Sequence, residues 1–110
     1  MMDAFATVET STIALAPDVE ATAVTVRLPR TTLVVAATAR GYVMCGALDV
    51  RLLDERHSAR EIAAARVLGV KSVEDLLEGA VDDLTAPAAA MGVRPRMTGR
   101  EALIRMAANP

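Results

Sequence analysis

The sequence predicts an α+β fold, with an N-terminal antiparallel β-sheet followed by short helices. Two observations carry this reading. Residues 5–46 show β-branched, alternating stretches broken by turn residues. Residues 47–107 carry helix start and stop signals in register with apolar spacing. The 110 residues are expected to form a single domain, with residues 1–4 disordered.

The elements follow in chain order. A first strand is expected within residues 5–15, where ATVETSTIAL alternates without a strong hydrophobe. In EATAVTVRL (20–28), Val24, Val26 and Leu28 point one way, and Ala23, Thr25 and Arg27 the other. That pattern reads as a strand covered mainly on one face. Pro29 ends it, because proline cannot donate to a ladder. TLVVAAT (32–38) is apolar on both faces, as an inner strand is. The turn signal ARG (39–41) then lets Tyr42–Cys45 return antiparallel.

From Ala47 the signals turn helical. Leu48, Leu52 and Leu53 make one apolar stripe. Ser58 with Glu61 reads as a capping box opening a helix to about Leu68, which Gly69 ends in a left-handed conformation. Ser72 with Asp75 opens a short helix closed by Gly79. A further helix is expected over about 83–91, with Pro87 in its first turn, stopping at Gly92. Thr98 with Glu101 is a second capping box and opens a C-terminal helix through about Ala107.

Composition bounds the function. Of the residues, 53% are apolar, although Phe5 and Tyr42 are the only aromatics. A domain this small buries only about two-thirds of its unfolded surface. The apolar surplus therefore points to a subunit interface, with an alanine-rich surface as the alternative. A net charge of −2 gives no general attraction to nucleic acid or anionic lipid. The charge is uneven: Arg94, Arg96, Arg100 and Arg105 stand against Glu101 alone near the C-terminus. One cysteine and one histidine cannot build a Cys/His zinc tetrad, and no internal disulfide is possible. No metal or cofactor is expected. The opening MMDAFATVET has no basic stretch before an apolar core, and no run reaches the 18 or so residues a membrane span needs. The expected compartment is the cytoplasm.

The candidate site is the strand-to-helix corner in GYVMCGALDV (41–50). If Gly46 starts a helix, the dipole would lower the pKa of Cys45. Asp49 in the first turn, and burial of the thiol in an apolar strand, oppose this. His57 would lie roughly 15 Å away along a continuous helix. Cys45 is therefore a nucleophile or a small buried hydrophobe. Gly46 could expose N–H groups to an anion, against the charge of Asp49. Arg66 falls on an apolar helical stripe and needs a partner. Asp49 is the candidate, as a structural pair or as a catalytic carboxylate, with Arg60 able to replace Arg66. LGVKSVEDLL (68–77) has the form of half a helix-hairpin-helix, but Glu74, Asp75 and Glu78 would repel a phosphate.

RLPRTTLVV, GYVMCGALDV, AREIAAARVLGVKSVEDLLEG, MGVRP and MTGREAL together resemble the YunC-like family, domain of unknown function 1805. The resemblance runs from about Ala21 to Met106, and GYVMCGALD is its most specific part. It implies small bacterial and archaeal proteins whose N-terminal β-region mediates tetramer formation. It implies no catalytic residue or ligand. The family pattern includes the positions of Tyr42, Cys45, Gly46, Asp49, Arg60 and Arg66. Pro87 and the long leader MMDAFATVETST depart from it.

Three functions follow as expectations. The first is an oligomeric binding or scaffold protein that pairs with itself, as homodimer or homotetramer, through its β-half. The second is a small-molecule enzyme with Cys45, Asp49 and Arg66 as catalytic candidates and Tyr42, Gly46 and Arg60 as ligand-binding candidates. The third is weak nucleic-acid binding through the 68–77 turn.

Overall fold

The computed structural model describes residues 5–109; the expectation of disorder at residues 1–4 lies outside them. Six strands form one sheet in the order β1-β2-β3-β4-β5-β6. These are β1 (Thr7–Ala16), β2 (Val19–Leu28), β3 (Thr31–Ala37), β4 (Tyr42–Met44), β5 (Ala64–Val67) and β6 (Val81–Leu84). The helices are α1 (Val50–Arg56), α2 (Val73–Glu78), α3 (Ala86–Ala90) and α4 (Gly99–Ala107), with a 3-10 turn at Ser58–Arg60. Neighbouring strands are antiparallel except β4 and β5, which are parallel.

The first four strands lie where the sequence places them. The second half contains more strand than expected. The helix expected from Ser58 to Leu68 is a single 3-10 turn followed by β5. Glu61 ends that turn at φ 52°, in left-handed backbone, and so stops the helix its carboxylate was expected to support. The good helix formers Ala64 and Ala65 are instead fully buried between β4 and β6. Tertiary burial here outweighs a helix propensity of a few tenths of a kcal/mol per residue. The helix expected over 83–91 is likewise β6 followed by the shorter α3. Pro87 does sit in its first turn, and Gly92 follows with φ 95°. Gly69 is left-handed at φ 74°, but it leaves a strand rather than a helix.

The capping signals at α2 and α4 hold. The Ser72 hydroxyl accepts from the Asp75 N–H, and the Thr98 hydroxyl from the Glu101 N–H, both at 3.1 Å. Each such bond satisfies an otherwise orphaned helical donor.

The main core lies between one sheet face and α2 and α4. Ala21, Val34, Ala36, Val43, Ala65 and Val67 from the sheet meet Leu76, Leu77, Leu103 and Met106 from the helices. The helices dock closely: a Cβ on Gly99 would collide with the Leu76 carbonyl oxygen. A second, smaller cluster joins Leu48, Val50 and Ala64, with Tyr42, Met44, Leu53 and Ile62 against it. It covers the opposite face only at β4 and β5.

Over β1–β3, no helix among the described residues packs its core against that opposite face. The register aligns Val8, Val26 and Leu33 in one row. It aligns Thr10, Val24, Val35, Met44 and Arg66 in the next. Val24, Val26, Leu33 and Val35 are partly exposed and belong to neither core cluster. Val8 is 65% exposed and Leu28 39%. β1 is also a sheet edge, ten residues long, with Glu9 its only charge and no proline. Natural edges are usually guarded by charge, proline or brevity.

Candidate functional site

The strand-to-helix corner is tighter than the sequence suggests. β4 ends at Met44, and the Cys45 N–H donates to the Val34 carbonyl at 3.1 Å. Cys45 thus extends the β3–β4 ladder opposite Val34, a residue of the main core, and is only 5% exposed. The Leu48 N–H then donates back to the Cys45 carbonyl at 3.1 Å, which closes a turn. Gly46 sits in this turn, where a Cβ would come within 3.2 Å of the Leu68 side chain. The helix starts at Val50 rather than at Gly46. The thiol is therefore separated from the helix N-terminus by a full turn of chain.

Asp49 is the cap of α1 rather than a residue of its first turn. Its Oδ1 accepts from the Leu52 N–H at 2.9 Å. That task satisfies a terminal donor and places negative charge at the favourable end of the helix dipole.

Arg66 is held by Asp82, correcting the expected pairing with Asp49. Its Nε donates to Oδ1 at 3.0 Å and its Nη2 to Oδ2 at 2.7 Å, a two-point grip. Nη1 reaches the Leu48 carbonyl at 3.4 Å, and Asp83 stands 4.0 Å away. The Arg66 hydrogen bond holds the Asp82 carboxyl below its ordinary value of 3.8, partly offset by burial. The same bond raises Arg66, again against burial, with smaller contributions from the charges of Asp82, Asp83 and Asp49. Arg66 lies on the sheet face beside Met44, not on a helical stripe, so its stem packs on the sheet while its head is clamped at the rim.

The other candidates do not converge on Cys45. Tyr42 packs in the small cluster with Leu48, Val50 and Ala64. Arg60 ends the 3-10 turn and is exposed, without an ion pair among the described residues. His57 is partly buried between α1 and that turn, with its N–H donating to the Leu53 carbonyl. No group of three or more His, Cys, Asp or Glu among the described residues is placed to hold a metal ion. The turn at residues 68–72 joins a strand to a helix, so it is not half of a helix-hairpin-helix.

Asp82 escaped sequence reasoning because it lies 16 positions from Arg66 and meets it only across β5–β6. The bare face of β1–β3 is the other feature that only the fold reveals.

The family model of the domain of unknown function DUF1805 matches residues 44–106. The uncharacterized protein YunC of Bacillus subtilis (strain 168) is 46% identical over 85 residues, covering 77% of this chain and 84% of that protein. A crystal structure of the protein of unknown function TA1206 from Thermoplasma acidophilum superposes with a TM-score of 0.81. It covers 96% of this chain and 99% of that one at 21% identity, a likeness of fold alone.

Proposed function

We propose, from the premise that this chain belongs to the DUF1805 family, that it is a self-assembling binding or scaffold protein of the cytoplasm. It joins copies of itself through its N-terminal β-half. The observation that carries this reading is the bare sheet face. Val24, Val26, Leu33 and Val35 lie side by side on adjacent strands and outside both cores. With Val8 and Leu28 they form an apolar area on the order of 400 Å² by strand spacing. That is within the range of about 300–600 Å² for the largest patch on a typical monomer, a patch that is often functional. Thr10, Thr12, Thr22 and Thr31 flank it on the same face, giving the polar rim typical of interfaces.

The open edge of β1 is a second surface suited to another copy, by strand addition. Use of the face alone gives a homodimer. Use of face and edge together gives a homotetramer. The single cysteine, buried and unpaired, suits a reducing compartment.

The geometry supports the enzyme reading less well. The Cys45 thiol is buried, the Asp49 carboxylate is committed to a cap, and Arg66 is engaged by Asp82. Nucleic-acid binding through the 68–77 turn is opposed by the acidic first turn of α2, Glu74 and Asp75.

Val26→Asp tests the assembly. It places a charge in the middle of the bare face at a position no core depends on. Light scattering should show a wild-type mass of two or four times the 11.6 kDa chain, and a lower mass for the variant with unchanged circular dichroism. A variant that keeps the wild-type multimer would reject the sheet face as the interface.

A further inference from the structure

On the helix side of the sheet, the far half of the β1–β2 hairpin overhangs the start of α2 and encloses a cleft of about 350 Å³. Its walls include Glu9, Ser11, Thr25, Arg27, Lys71 and Glu74. Thr25 is the decisive residue. It is only 9% exposed, on the face occupied by the main core, and its hydroxyl bonds to none of the described residues. No fully enclosed side-chain oxygen or nitrogen among the described residues lacks a partner. The Thr25 oxygen therefore keeps its access through the cleft. A hydroxyl on a residue this buried, reaching solvent and without a partner among the described residues, is available to a ligand in the cleft.

The other polar groups set the ligand's chemistry. The Glu9 carboxylate is already engaged by the Arg27 Nε at 2.9 Å, and neither terminal nitrogen of Arg27 bonds to any of the described residues. The Lys71 ammonium has no ion pair among the described residues, and its backbone N–H is turned to Asp75. Two cations, Arg27 and Lys71, thus stand with two carboxylates, Glu9 and Glu74, and the hydroxyls of Thr25 and Ser11 can donate or accept. Glu74 at the α2 end has no ion pair among the described residues, and its charge disfavours a ligand carrying several negative charges.

We propose that this cleft binds a small monocarboxylate with a hydrogen-bond donor on the neighbouring carbon, as in α-hydroxy acids and α-amino acids. The carboxylate meets Lys71, Arg27 and the Thr25 hydroxyl. The adjacent hydroxyl or ammonium donates to Glu74. The volume lies at the small end of ligand pockets, about 300–1,000 Å³. The site does not rest on self-assembly, since it opens on the face opposite the bare valines.

Isothermal titration calorimetry of the full chain with D-glycerate, L-serine and acetate tests this. D-glycerate or L-serine should saturate at one site per chain and bind at least tenfold tighter than acetate; which of the two binds tells hydroxy acid from amino acid. Lys71→Gln, at an exposed position, should weaken that ligand about tenfold, and the isosteric Thr25→Val about fivefold. Glu74→Gln should erase the preference over acetate. Val26→Asp should bind as the wild type does. Absence of saturable heat with either probe, or equal affinity in the Lys71 and Thr25 variants, would overturn the assignment. Circular dichroism on each variant keeps a folding defect from being read as lost binding.

Discussion

The two faces of β2 and β3 are built differently, and in the opposite sense to that expected of an isolated domain. The face beneath α2 and α4 carries Ala21, Ala23, Thr25, Val34 and Ala36. The bare face carries Val24, Val26, Leu33 and Val35. The covered side uses small residues because the helices come close. The uncovered side presents the larger ones, which are partly buried already and have a fraction of the about 1.5–3 kcal/mol of full burial still to gain. A monomer would gain by exchanging the two sets. The contrast makes sense when a second layer, supplied by another copy, lies over the valines.

The comparison can be broken most strongly at the covered face. Leu103→Ala empties a fully buried position under the sheet and should cost about 2–5 kcal/mol in urea unfolding. Val35→Ala on the bare face should cost less than about 1 kcal/mol when measured in the Val26→Asp background, where no partner covers it. Equal costs would mean that the bare face is packed within the single chain. Loss of the α4 cap by Thr98→Ala should cost about 1 kcal/mol, read as a shift in denaturation midpoint without a change in assembly.

The Arg66–Asp82 pair, at the rim of the bare face, gives the smallest effect. Its side chains are 25% and 33% exposed, so solvent screening limits it to about 1 kcal/mol. The carboxyl's pKa is depressed in the folded state. Its contribution is therefore fully present above the ordinary carboxylate value of 3.8, and is lost as pH falls through the lower folded pKa. Asp82→Asn should remove that part of the acid dependence and leave stability near neutral pH lowered by a similar amount. An unchanged acid limb would assign the acid sensitivity to other carboxylates.

Local chemistry was legible in the sequence and long-range pairing was not. The hydroxyl caps at Ser72 and Thr98, and the proline inside the first turn of α3, depend on a few neighbouring residues and emerged as expected. β5 was misread because Ser58, Glu61 and the alanines 63–65 satisfy every local rule for a helix. Only the presence of β4 alongside turns those alanines into a buried strand. β6 was hidden by its two aspartates, poor strand formers that tolerate an edge position where one can grip Arg66. In the candidate site, the burial of Cys45 followed from its apolar strand. The true partner of Arg66 depended on a sheet register that no spacing rule supplies.

Sedimentation of the wild-type chain over a wide concentration range tests the central claim most directly. The bare valine face predicts a particle of two or four times 11.6 kDa that dissociates only on dilution. A particle of 11.6 kDa at every concentration would contradict it.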